Sequence, residues 1–337
     1  FNIGRGQGES ASLISMLEYV QSRYSTDHDG VFITGLSAGA SMASLMLAHY
    51  PDIFNAGAPM AGVTFGCAHH DGTTGSDLKN KAFDCMGVTH EFQKKNAMQP
   101  DEMMPENLKH SPQEWANIVK LFGPDNYDGV YPRVLIWQGD NDQYVDPDHL
   151  TENMKQWTEI HETSQTPSFT GTLKQTNSYH SYNEYSDSEG NVKVGTVSIQ
   201  GMLHGISVDP GIMTDQGGTC TSGVNRATPG CLANTGIWGM EVPWASDFDI
   251  HSTYYTAQWW GLLDRSYPRR DRDSKPIEFS IISPLDGDIV AKNSDQVTIS
   301  ASASHDSGIN RVEFLIDDQT ECTIYTVPYT CEWNTSG

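Results

Sequence analysis

A parallel α/β domain followed by a small all-β domain is the architecture this sequence predicts, and three observations predict it. The apolar runs at 31–34, 56–63 and 133–138 are continuous rather than alternating, as in strands covered on both faces. Stretches with helical spacing separate them, at 9–23, 40–49 and 148–162. After residue 276 the pattern changes to short β-type runs with turn residues between them.

Taken in order, residues 1–8 are glycine-rich and read as a loop. Leu13, Ile14, Leu17 and Val20 then recur at helical spacing. Asp27-His28-Asp29-Gly30 is a turn before the first strand. A small-residue helix over 40–49 ends at Tyr50-Pro51, and 56–63 supplies the next buried strand. Residues 66–126 form a long polar excursion, with short helical pieces expected at 86–93 and 114–121. The strand at 133–138 follows. Asp146-Pro147-Asp148 carries the start signals of the helix over 148–162. Two alternating segments, 178–186 and 192–200, lead into Gly201-Met202-Leu203-His204-Gly205. Residues 206–247 read as loops, and 249–263 as a last helix. We expect a first domain over 1–264, a linker over 265–276, and a β-sandwich module over 277–337 with strands at 277–282, 296–303, 311–317 and 323–327.

Charge bounds the partners. Forty-three acidic against 20 basic residues give a formal net charge of -23, which disfavours nucleic acid and anionic membranes. No run reaches the ~18 apolar residues of a membrane-spanning helix. The six cysteines fall into three local pairs, Cys67 with Cys85, Cys220 with Cys231 and Cys322 with Cys331. Even number and close spacing across polar loops predict three disulfides and an exported protein. His69-His70-Asp71 looks metal-like, but adjacent residues seldom converge on one ion, and no metal or cofactor is expected.

The chemistry centres on Gly35-Leu36-Ser37-Ala38-Gly39, between a strand and a helix. This is the setting of a nucleophile elbow, where a serine stands on a tight strand-to-helix turn. Glycines on both sides remove side chains where strand and helix meet. The turn exposes the Ser37 hydroxyl and aims the Ala38 N–H at a forming oxyanion. A serine needs a base, and the base needs an orienting carboxylate, in the chain order Ser, Asp, His. Gly139-Asp140-Asn141-Asp142 follows the strand ending at Gln138, and Asp142 is the expected carboxylate. Asp140, Asp146 and Asp148 compete as loop or cap acids. His204 is the expected base, at a strand end in the right order. His149, His161, His180, His251 and His305 read as structural.

Arg5-Gly6-Gln7-Gly8-Glu9, Thr34-Gly35-Leu36-Ser37-Ala38-Gly39-Ala40-Ser41-Met42 and Tyr50-Pro51-Asp52-Ile53-Phe54 resemble the extracellular poly(3-hydroxybutyrate) depolymerase family of esterases. Met202-Leu203-His204-Gly205, Val208-Asp209-Pro210-Gly211 and Trp259-Trp260-Gly261-Leu262 are similar too, so the likeness covers most of 1–263. Feruloyl and acetylxylan esterases are relatives of that family. The resemblance implies an α/β-hydrolase fold with Ser37 as nucleophile, Asp142 as acid and His204 as base, acting on a polymeric ester. Family members carry an N-terminal segment supplying the first strands and the second oxyanion donor. That donor is expected to lie outside this chain, which reads as a fragment at both ends. The tail, with Pro284-Leu285-Asp286-Gly287 and Val312-Glu313-Phe314-Leu315-Ile316-Asp317, resembles bacterial Ig-like modules. A carbohydrate esterase and a catalytically silent polymer-binding homologue are the alternatives.

Overall fold

The computed structural model describes residues 4–67, 76–87, 108–175, 178–208, 244–248, 250–264, 266–267 and 278–334, apart from 286, 289–295, 305–308, 310 and 318. The chain divides into two compact units, Phe1–Ser10 with Gly30–Pro268, and Ala11–Asp29 with Arg269–Gly337. The first helix, α1 (Gly8–Arg23), has most of its length in the second of these.

The first unit is an α/β-hydrolase fold built on a six-stranded mixed sheet. Its strands are β1 (Phe32–Leu36), β2 (Ala56–Met60), β3 (Arg133–Gly139), β4 (Phe169–Gln175), β5 (Ser178–Ser186) and β6 (Val192–Ile199), ordered β1-β2-β3-β6-β5-β4. The first four in that order run parallel, and β5 and β4 add antiparallel. Continuous apolar sequence marks the covered strands. All five residues of β2 and six of the seven in β3 are buried. The register sets Leu36 beside Met60, Met60 beside Trp137, and Gly139 beside Ile199. The parallel strands therefore end along one edge, where ligands bind in open α/β sheets.

Helix α2 (Ala38–His49) packs on β1 and β2 and is buried over most of its surface, because its small residues let the backbone approach the sheet. A Cβ on Gly57 of β2 would meet Leu47 Cδ1 at 2.4 Å. Helix α3 (Ser76–Met86) ends where sequence placed the start of a helical piece, and 88–93 lie outside the described residues. Helix α4 (Pro112–Phe122) opens with a reciprocal capping box between Ser111 and Glu114. It packs on α5 (Asp148–Ile160), with Trp115 and Trp157 fully buried. Strands β7 (Ile206–Val208) and β8 (Ala245–Asp247) pair in parallel, within the stretch expected to be loop. Helix α6 (Ser252–Trp260) ends at Gly261, left-handed at φ 75. Arg133 holds that helix end: its guanidinium donates to Trp259 O and to Trp260 O at 3.0 Å and lies over the Trp259 ring. Burial pushes the Arg133 guanidinium down to about 10.

The second unit carries an antiparallel sheet ordered β13-β10-β9 and a β11-β12 hairpin, from β9 (Glu278–Ser283), β10 (Val297–Ser304), β11 (Val312–Ile316), β12 (Gln319–Ile324) and β13 (Tyr329–Trp333). Sequence placed one strand at 323–327; the structure has β12 ending at Ile324 and β13 beginning at Tyr329. Ile299, Ala301, Val312, Phe314, Tyr329 and Cys331 form the core. Cys67–Cys85 and Cys322–Cys331 are disulfides, with Cα separations of 5.9 Å and 6.0 Å. The Cys220 and Cys231 pairing lies outside the described residues, as do His69-His70-Asp71 and His305. Among the described residues no helix is long and apolar enough to cross a membrane.

Candidate active site

Ser37 stands between β1 and α2 at φ 58 and ψ -119, a backbone conformation that L-residues other than glycine rarely adopt. Its N–H donates to Met60 O at 3.0 Å, tying the turn to the end of β2. Gly35 is required there: a Cβ would lie 2.3 Å from Gly39 O. Gly39 itself has open space around a Cβ, so its part in the turn is not the steric one read from the motif. Instead its carbonyl is the group Gly35 must clear. A third close approach was not legible as part of the motif. A Cβ on Gly62 would meet Ala40 Cβ at 2.5 Å, so the chain after β2 lies tight on the elbow helix. A serine at a helix N-cap usually bonds its hydroxyl to the helix. The Ser37 side chain makes no such bond, which leaves Oγ available. Ala38, the first residue of α2, presents an N–H outside the intrahelical ladder, at the positive end of the helix.

The loop after β3 carries Asp142, whose side chain is wholly buried. Its carboxylate accepts four hydrogen bonds. Oδ2 takes His204 Nδ1 at 2.8 Å and Gln138 Nε2 at 2.9 Å; Oδ1 takes the N–H groups of Tyr144 at 2.8 Å and Val145 at 3.0 Å. The loop thus wraps its own acid, and Gln138, at the end of the buried strand, fixes the oxygen that faces the imidazole. A carboxylate on Nδ1 sets that nitrogen as donor and leaves Nε2 as acceptor. His204 is 2% exposed, with the Tyr144 ring at 5.3 Å and the Trp244 ring edge-on at 5.4 Å. Among the described residues neither Ser37 Oγ nor His204 Nε2 has a hydrogen-bond partner. Such contacts are commonly loose in a free enzyme and tighten with substrate.

The structure therefore joins Asp142 to His204 directly and places Ser37 along the same strand-end edge. The competing acids have other work. Asp140 Oδ1 accepts the Gly201 N–H at 2.6 Å. Asp146 accepts the Asp148 N–H at 2.8 Å, and Asp148 pairs with Lys109 at 2.8 Å. Three other histidines, His149, His161 and His180, hold backbone. His161 Nε2 donates to Pro132 O, His180 Nε2 to Phe248 O, and His251 is the N-cap of α6. His149 accepts the Thr64 N–H on Nδ1 and donates from Nε2 to Cys85 O, and burial lowers its pKa. Gln138, Tyr144 and Trp244 are residues that sequence reasoning missed. A polar residue closing an otherwise apolar strand was the available signal for Gln138. Among the described residues no group of three His, Cys, Asp or Glu side chains is placed to hold a metal ion.

Comparison with known proteins finds likenesses that include the segment carrying Ser37. Residues 2–83 match the family described as Esterase PHB depolymerase, and residues 278–337 the Bacterial Ig domain. The chain is 29% identical over 262 residues to a protein named Poly(3-hydroxyalkanoate) depolymerase C from Paucimonas lemoignei, covering 78% of this chain and 51% of the relative. It is 35% identical over 203 residues to an Acetylxylan esterase of Coprinopsis cinerea, covering 60% of this chain and 46% of the relative. The chain thus spans about half the length of these curated relatives. Among solved structures it is similar to the Acetyl xylan esterase from Aspergillus awamori, at 25% identity and a TM-score of 0.45, covering 60% of this chain and 64% of that one.

Proposed function

We propose that this chain, a homologue of the PHB depolymerases with acetylxylan and feruloyl esterases among its relatives, is a secreted serine esterase that cleaves a polyhydroxyalkanoate polyester through an acyl-enzyme. Similarity to esterase-type hydrolases supports this reading. The observation that carries the mechanism is the buried Asp142–His204 pair, on the same strand-end edge as a strained serine whose hydroxyl does not cap its helix.

In the reaction, His204 Nε2 takes the Ser37 proton as Oγ attacks the ester carbonyl. Asp142 holds the Nδ1–H and stabilises the imidazolium that forms. The oxyanion develops against the Ala38 N–H and the positive end of α2. His204 then passes its proton to the departing alcohol, and the acyl group stays on Ser37. Water, deprotonated by His204, attacks the acyl-enzyme, and Ser37 leaves with the proton returned. Tyr144 and Trp244 line the imidazole and limit water around it.

The polyester is favoured because the depolymerase relative matches the larger share of this chain, 78% against 60%. Disulfides at Cys67–Cys85 and Cys322–Cys331 support export, since such bonds persist in oxidising surroundings. The domain reading completes the proposal: 1–264 catalyses, 265–276 links, and 277–337 holds the enzyme on its polymer or spaces it from it.

The test sets polyhydroxybutyrate film beside acetylated and feruloylated xylan, with a fluorophosphonate probe as the measure of serine reactivity. The proposal expects labelling at Ser37 and release of soluble acid from the film. Release from xylan alone transfers the substrate to the carbohydrate esters. Absence of both labelling and hydrolysis leaves the silent polymer-binding reading.

A further inference from the structure

We propose that Asp140 is a positioning residue for the base: its carboxylate fixes the loop that carries His204 and so sets where the imidazole stands. The inference rests on the catalytic assignment above. Two acids in one short loop reach the same partner loop in different ways. Asp142 touches the imidazole itself; Asp140 touches only the backbone three residues upstream, at Gly201.

The two loops are joined along their length. Asp140 N–H donates to Ile199 O and Asn141 N–H to Met202 O, each at 3.2 Å. Gly139 allows the approach, since a Cβ there would lie 2.2 Å from Met202 O. Between these bonds the chain turns at Gly201, left-handed at φ 74. That turn presents the Gly201 N–H outward, and Asp140 Oδ1 takes it at 2.6 Å. The backbone bonds on either side are long, whereas a carboxylate acceptor makes the shorter and stronger class of hydrogen bond. Asp140 is exposed, so its charge stands at the rim of the site with little loss of hydration. The clamp closes the turn from which Met202, Leu203 and His204 run back to Asp142. Loosening it lets the imidazole drift while the buried pair survives.

The positioning role separates cleanly from an acid role. An asparagine keeps a carbonyl oxygen at the same place, so Asp140→Asn is expected to hold kcat within about threefold of wild type. Asp140→Ala removes the acceptor, and kcat on a small soluble ester is expected to fall roughly 10–100-fold with KM unchanged, as for a base displaced by a fraction of its bond length. The acid limb of the kcat/KM profile stays in place in both variants, because Asp142 still holds Nδ1–H. Alanine activity within twofold of wild type overturns the proposal. So does an asparagine variant as impaired as alanine, which would make Asp140 the orienting acid. If the alanine variant does not fold, Asp140→Glu carries the test, since it keeps the charge and moves the acceptor by one methylene. Full kcat in that variant overturns the clamp. Amide exchange at Gly201 reads the same bond without turnover. Faster exchange in alanine but not asparagine supports the clamp; equal exchange in all three refutes it. An inert wild-type chain with protected Gly201 would place the failure in the catalytic assignment, not in Asp140.

Discussion

His204 and His149 are both fully buried imidazoles on segments that follow the sheet's parallel strands, and they differ in what their nitrogens meet. His204 gives Nδ1–H to the Asp142 carboxylate, and its Nε2 has no partner among the described residues. His149 has both nitrogens in use, accepting from Thr64 N–H and donating to Cys85 O. A neutral carbonyl cannot compensate an imidazolium, so burial holds His149 uncharged. The lesson is that burial alone does not make a histidine a base. A carboxylate behind one nitrogen and an unoccupied nitrogen in front do. His149 instead ties α5 to the segment after β2 and to the Cys67–Cys85 disulfide.

The largest expected effect would break the comparison at its catalytic end. Ser37→Ala and His204→Ala are expected to lower ester hydrolysis by several orders of magnitude, and Asp142→Asn by about 10⁴ through the wrong imidazole tautomer. Circular dichroism should show all three folded. Wild-type turnover in Ser37→Ala would remove His204 from any catalytic role and leave the two histidines alike.

At the structural end, His149→Phe leaves the Thr64 N–H and the Cys85 carbonyl unpaired. Each orphaned buried group costs on the order of 1–3 kcal/mol, so urea unfolding should show a loss of roughly 2–5 kcal/mol. The fraction that remains folded is expected to keep normal kcat. A stable variant with kcat lost would mean that His149 belongs to the chemistry.

The smallest effect sharpens the comparison by pH. His49, fully buried beside Phe65 and Phe122, is pushed down to about 4, first by burial and then by the Arg5 charge. His149 is lowered in the same direction. Below the ordinary histidine pKa the unfolded chain binds protons that the folded chain refuses. Stability is therefore fully present above about pH 6.5 and falls as pH drops toward about 4, by up to ~1.4 kcal/mol per pH unit for each such group. Denaturant midpoints at pH 7 and pH 5 measure it. A midpoint unchanged between them would show that these imidazoles are not held neutral.

Much of this was legible because local chemistry demanded it. Gly35-Leu36-Ser37-Ala38-Gly39 is readable since few residues tolerate the turn. The continuous strands β2 and β3 are readable since both their faces are covered. Strand β4 was missed because an edge strand gains its identity from its neighbour. Among the described residues Phe169-Thr170-Gly171-Thr172 pairs only with β5, and Phe169 is 52% exposed. In the second unit, Tyr325-Thr326-Val327 has the composition of a strand but forms the turn into β13, where Val327 is 73% exposed. Propensity was correct for those residues and position overrode it. The Asp140 contact with Gly201 was out of reach, because it depends on a loop 61 residues away along the chain.

Ser37 also shows what the reactive turn subtracts from the fold. A left-handed non-glycine residue stores on the order of 1–3 kcal/mol of strain, and an N-cap serine that withholds its hydroxyl forgoes about 1 kcal/mol more. The sheet and helix around it must supply that difference, which accounts for how closely Gly35, Gly57 and Gly62 let backbone and helix α2 approach. A directed-evolution campaign that selected only for heat resistance would drift toward glycine at position 37. It would gain a more comfortable backbone there and discard the one side chain that the rest of this unit is arranged to hold uncomfortably.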